Sequence, residues 1–148
     1  MASLDNQDNT DPQIYLDVME MPLLEVQTLD ILLAAIGPKS MCRVLAAYWS
    51  DAQTMISSLK STRLTSQTQV GQELIELRKT AHGLKGASAN IGLLKASRLS
   101  AKLQNAPLED IPFLVEALER TLEKSKSSIR DYCGLSGKAT QPEIAKAS

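Results

Sequence analysis

The sequence predicts an all-α fold: an up-down four-helix bundle with an additional N-terminal helical segment. Three observations lead there. Aromatic residues make up only 3% of the chain while Leu and Ala abound, the reverse of the Val-, Ile-, Thr- and aromatic-rich composition of strands. Apolar residues recur three and four positions apart over several long stretches, which is the spacing of one helical face. Short connections rich in Gly, Pro and polar residues separate those stretches, as antiparallel neighbours require.

Taken in order, residues 1–22 read as a flexible or short-helical N-terminal segment. "MASLDNQDNTDPQ" is polar with almost nothing to bury, and a short helix begins near Pro12. Residues 23–133 carry the bundle. From Leu23 the pattern places Leu24, Thr28, Ile31, Leu32 and Ala35 on one face, and Gly37-Pro38 supplies a stop followed by a start. From Lys39 to about Lys60 a second helix repeats Cys42, Leu45, Ala46, Trp49, Ala52, Gln53, Ile56 and Leu59. A polar connection follows, in which Thr65 or Ser66 caps the next helix.

That next helix carries Val70, Leu74, Leu77, Ala81, Leu84, Ser88 and Ile91, a core seam alternating four and three apart. Gly92 ends or bends it. A shorter helix with Leu94, Leu99 and Leu103 apolar runs up to Pro107, and a last helix from about Leu108 to Cys133 has acidic first and basic last turns that suit the helix dipole. Residues 134–148 are a small, polar tail.

Charge and composition exclude several functions. With Lys+Arg 16 against Asp+Glu 17 the net charge is −1, so no basic field exists to hold a nucleic acid. Cys42 and Cys133 lack the spacing of a metal or redox pair and read as reduced thiols of a cytoplasmic protein. The longest apolar run, "ILLAAI", is far too short to span a bilayer, and no membrane partner is expected. "GLSGKAT" lacks the first Gly, the Ser or Thr and the preceding strand of a phosphate loop. A chain with one histidine and no Glu-x-x-His pairing builds no His-rich metal centre, and no cofactor of its own is expected.

That one histidine, His82, sits in "AHGLKGASANIG" and lies about 100° round the helix from the seam residue Ala81, so it faces outward. Ile75, Arg78, Lys79, Lys85, Gly86 and Ala89 share its side. Gly86, one turn on, leaves a notch through which another molecule can approach. Lys85, with Arg78 and Lys79 one turn before His82, would stabilise a doubly charged group on the imidazole and would hinder a histidine that has to gain a proton. The charge pattern favours a phosphoryl acceptor over a proton shuttle. An acid-base enzyme would also need a second titratable group and a pocket.

The stretch resembles the His-x-Leu-Lys-Gly-x-Ser-x-x-x-Gly signature of histidine-containing phosphotransfer (HPt) domains, matched here at His82, Leu84, Lys85, Gly86, Ser88 and Gly92. Gly83 departs from the larger polar residue often found there. The resemblance implies a four-helix bundle with a phosphorylated histidine at His82, which relays a phosphoryl group between aspartyl-phosphate receiver domains. Lys85 would aid phosphoryl binding, and Gly86 would give the receiver access. Gln104, at a spacing where some family members carry Gln beside the histidine, would accept the Nδ1 proton through its carbonyl; an ordinary solvated Gln competes with that reading. Ser88, on the seam, would bury its hydroxyl against a backbone carbonyl. The implied partners are response-regulator receivers, which bring their own Mg²⁺, and a hybrid sensor histidine kinase. The chain itself would be a monomer without autokinase activity. The competing reading is a non-catalytic helical adaptor that docks on receivers or kinases.

Overall fold

A computed structural model of the chain describes residues 15–61 and 67–136. Among the described residues the regular structure is entirely helical: α1 (Leu16–Met19), α2 (Val26–Ser61), α3 (Gln67–Asn90), α4 (Leu94–Asn105), a 3₁₀ turn (Leu108–Asp110) and α5 (Ile111–Ser136). The α4 helix packs between α3 and α5, and α2 closes against both of those. The expected caps Thr65 and Ser66, the lead-in before Tyr15 and the tail beyond Ser136 lie outside the described residues. The last helix runs on to Ser136, past the Cys133 boundary read from the sequence.

The stop and start expected at Gly37-Pro38 are present as a break inside α2, where Gly37 takes φ 83° and ψ 164°. Only glycine adopts such a φ freely, and proline suits the first turn of the helix that follows. By length and composition α2 could cross a membrane, which its short apolar run did not indicate. The Gly37 break divides it, and its second half buries a stripe in the bundle.

The rotation of α2 differs from the expected one on both sides of that break. Before it, Leu29 is fully buried, whereas Ile31 and Ala35, expected inward, are exposed. After it, Met41, Leu45, Tyr48, Ala52, Ile56 and Leu59 face inward, and Cys42, Ala46 and Gln53 face out. Two adjacent stripes of this helix are apolar and share Leu45, Ala52, Ile56 and Leu59, so periodicity alone does not separate them. Tyr48 resolves the choice, because its hydroxyl finds a buried partner in Ser88 of α3 at 2.7 Å.

The α3 seam matches its spacing. Leu77, Ala81, Leu84, Ser88 and Ile91 are buried and Leu74 is half-buried, while the Val70 side chain is outside the described set. Burying a leucine of this kind stabilises the fold by about 1.5–3 kcal/mol. On α4, Leu99 and Leu103 are buried and Leu94 is half-buried.

The core reaches back ahead of Leu23. Tyr15 and Val18 are buried, and Tyr15 stacks on Phe113 with ring centroids 5.9 Å apart. The Tyr15 hydroxyl donates to Asp110 Oδ2 at 2.5 Å, and Lys95 Nζ donates to the Met19 carbonyl at 2.7 Å. Burial pushes the Tyr15 hydroxyl pKa up, and the carboxylate it bonds adds to that.

Candidate functional site

The candidate site grows out of the hairpin formed by α3 and α4. The end of α3 is closed by a Schellman turn: Leu93 N–H donates to the Ser88 carbonyl at 2.9 Å and Gly92 N–H to the Ala89 carbonyl at 3.2 Å. Gly92 sits at the left-handed position with φ 79°. A Cβ there would lie 3.0 Å from the Glu25 carbonyl oxygen and 3.1 Å from Leu29 Cγ. The Gly92 carbonyl also accepts the Glu25 N–H at 2.8 Å, so this glycine both turns the hairpin and seats the start of α2.

From that turn the two helices run antiparallel, tied by three polar contacts at successive levels. Ser97 Oγ donates to the Lys85 carbonyl at 3.1 Å. One level further from the turn, His82 Nδ1 and Gln104 Nε2 lie 3.0 Å apart. Further still, Arg78 Nη2 donates to the Ala106 carbonyl at 3.0 Å. Ser97 and Gln104 are two helical turns apart on α4, so both face α3. Ser97 and Gln104 are uncharged polar residues at that spacing, on a helix whose other face buries Leu99 and Leu103.

His82 is exposed, Lys85 and Gln104 are half-buried, and Gly86 is exposed. A Cβ on Gly86 would meet nothing within 4 Å, and the same holds at Gly83. The notch beside His82 is therefore open to solvent rather than filled by a neighbouring helix. Ile75, one of the large apolar residues left exposed, lies on the same side of α3 as His82.

The hairpin thus brings Gln104 to the imidazole, where the family resemblance would put it, with one difference. The carboxamide nitrogen, rather than the carbonyl, faces Nδ1. The two ends of a carboxamide exchange by a half-turn about its last torsion, so the same side chain can present Oε1 to an Nδ1–H. Ser88 differs as well: its hydroxyl pairs with the Tyr48 hydroxyl and not with a backbone carbonyl. Burial pushes the Tyr48 pKa up to about 12, partly opposed by that hydrogen bond.

Arg78, expected among the cations that would stabilise a charged group on the imidazole, is partly buried and donates to the Ala106 carbonyl at the end of α4. Its link could not be read from the sequence, because the length of the turn decides which carbonyl stands opposite. Among the described residues, no three His, Cys, Asp or Glu side chains gather to hold a metal ion.

No curated protein and no solved structure matches the chain. The family model of the Hpt domain matches residues 43–128, more than half of the 148 residues and a span that includes His82, Lys85, Gly86 and Gln104. With that match laid over an exposed histidine on a helical bundle, the chain belongs to the Hpt domain family.

Proposed function

We propose that this protein relays a phosphoryl group between receiver domains through phosphohistidine at His82. Membership of the Hpt family supports histidine phosphotransfer in a phosphorelay in general. One observation carries the finer assignment: the chain's only histidine stands exposed on α3, with a carboxamide at its Nδ1 and open space at Gly86.

In the proposed step, the Nε2 lone pair of neutral His82 attacks the phosphorus of an aspartyl phosphate on the receiver. The N–P bond forms as the P–O bond to the aspartate breaks, and the carboxylate leaves with that electron pair. Nδ1 keeps its proton and the ring becomes cationic. A Gln104 oxygen accepting the Nδ1–H would hold the ring orientation and favour that charge. Lys85 would lend positive charge to the phosphoryl oxygens, and Mg²⁺ on the receiver would share that work. Transfer onward to a second receiver is the same step reversed.

The proposal is tested by incubating the protein with a panel of ³²P-labelled receiver domains and, separately, with labelled ATP. The expected result is acid-labile, base-stable label taken from receivers and none from ATP alone. A protein that binds receivers tightly yet acquires no label from any of them would be an adaptor, and the relay assignment would be wrong.

A further inference from the structure

We propose that Arg78 is a positioning residue for the imidazole, acting through α4. Its guanidinium holds the Ala106 carbonyl at 3.0 Å, and Ala106 is the residue at which α4 ends, with φ −75° and ψ 150°. Gln104, which faces His82 Nδ1 at 3.0 Å, lies two residues earlier in the last turn of the same helix. Terminal turns fray because their last carbonyls have no partner within the helix. Arg78 supplies a charged donor close to that frayed end, and such hydrogen bonds are stronger than neutral ones.

The side chain is not an opportunistic surface group. Its Nε is buried without a hydrogen-bond partner, a cost that a freely solvated arginine would avoid. Arg78 also precedes His82 by four positions on α3, so the arginine and the histidine project from the same side of one helix toward one helix opposite. The Arg78–Ala106 clamp and the His82–Gln104 contact are neighbouring rungs of the α3–α4 ladder. Releasing the outer rung frees the turn of α4 that carries Gln104. The imidazole then loses the group that selects which nitrogen keeps the proton.

This inference rests on the reading of His82 as the acceptor, but its test does not require phosphoryl transfer. The chain has one histidine, so ¹⁵N NMR of the imidazole reports His82 alone. With the Gln104 carboxamide turned to present Oε1, the neutral ring of the parent is expected to carry its proton on Nδ1. Gln104→Ala and Arg78→Met should each shift the tautomer ratio toward Nε2–H, and the double variant should shift it no further than Gln104→Ala does. Arg78→Lys, which keeps a donor for one carbonyl, should restore much of the parent ratio and also serves if Arg78→Met fails to fold. Transfer from a labelled receiver should slow about ten-fold in Arg78→Met.

A parent-like tautomer ratio in Arg78→Met or in Gln104→Ala would overturn the proposal. So would additive shifts in the double variant, which would mean that Arg78 acts on the ring directly. If the ratios behave as expected but label lands elsewhere than His82, the positioning role stands and the relay reading falls.

Discussion

Gly86 and Gly92 belong to one motif on one helix, yet they meet opposite surroundings. Around Gly86 a Cβ would touch nothing within 4 Å, and around Gly92 it would press on the Glu25 backbone and the Leu29 side chain. Gly92 has a left-handed φ of 79°, whereas Gly86 sits inside α3 with no such requirement. The contrast separates two reasons for having no side chain. At Gly92 the chain itself fills the space, and the glycine serves the fold. At Gly86 the space stays empty, and the fold alone gives no reason to forgo the roughly 1 kcal/mol that Ala would contribute to a helix interior. A glycine that costs stability and packs against nothing fits a surface kept clear for a partner.

Substitutions can break this contrast, and the largest effect is expected at Gly86. Gly86→Gln should lower the rate of phosphoryl transfer about 100-fold, because a side chain in the notch displaces the receiver from its in-line approach. Its melting temperature should stay level or rise. Normal transfer by that variant, measured with a labelled receiver, would return Gly86 to an incidental surface residue.

The opposite pattern is expected at Gly92. Gly92→Ala should destabilise the fold by about 2–4 kcal/mol, combining a left-handed φ with contacts tight enough that Glu25 and Leu29 must give way. Urea denaturation followed by circular dichroism measures this directly. A loss under about 0.5 kcal/mol would mean that the turn and the start of α2 relax easily.

The buried layer beneath the site gives an alkaline signature. Tyr48 has its pKa raised by burial to about 12 from 10.0, so the folded state favours the protonated phenol. The sign follows: this contribution is fully present below pH 10 and is lost as pH rises from about 10 to 12. Tyr15, shifted in the same direction, adds to the alkaline loss. Tyr48→Phe should lower stability at neutral pH, since Ser88 loses its partner, and should flatten part of the decline above pH 10. Melting curves of parent and variant across that range compare the two slopes, and identical slopes would remove Tyr48 from the account. The smallest effect is expected for Gly86→Ala, a gain of up to about 1 kcal/mol with transfer reduced far less than in Gly86→Gln.

How much of this was legible in the sequence follows from what each inference needed. The α3 seam and the outward placement of His82 required only helical spacing, and an apolar seam one residue wide leaves no ambiguity about rotation. The break at Gly37 required only the Gly-Pro pair. The rotation of α2 was not legible, because two adjacent apolar stripes compete there and the deciding contact, Tyr48 with Ser88, joins residues forty positions apart. The approach of Gln104 to His82 came through family resemblance, whereas Arg78's hold on Ala106 depends on how tightly the Gly92 turn folds α4 back on α3. Local patterns reveal faces, and only the assembled hairpin reveals which residues share a level.

The most direct test of the central claim is to map the phosphoryl group itself. After incubation with a phosphorylated receiver, the protein is digested at neutral to alkaline pH and the phosphopeptide is fragmented by electron-transfer mass spectrometry, alongside a His82→Gln variant. A single phosphoramidate on His82 is expected, with no incorporation in His82→Gln and with that variant's helical circular-dichroism spectrum and melting curve close to the parent's, because His82 is exposed and off the core. Label retained by His82→Gln, or a variant that no longer folds, would contradict the claim.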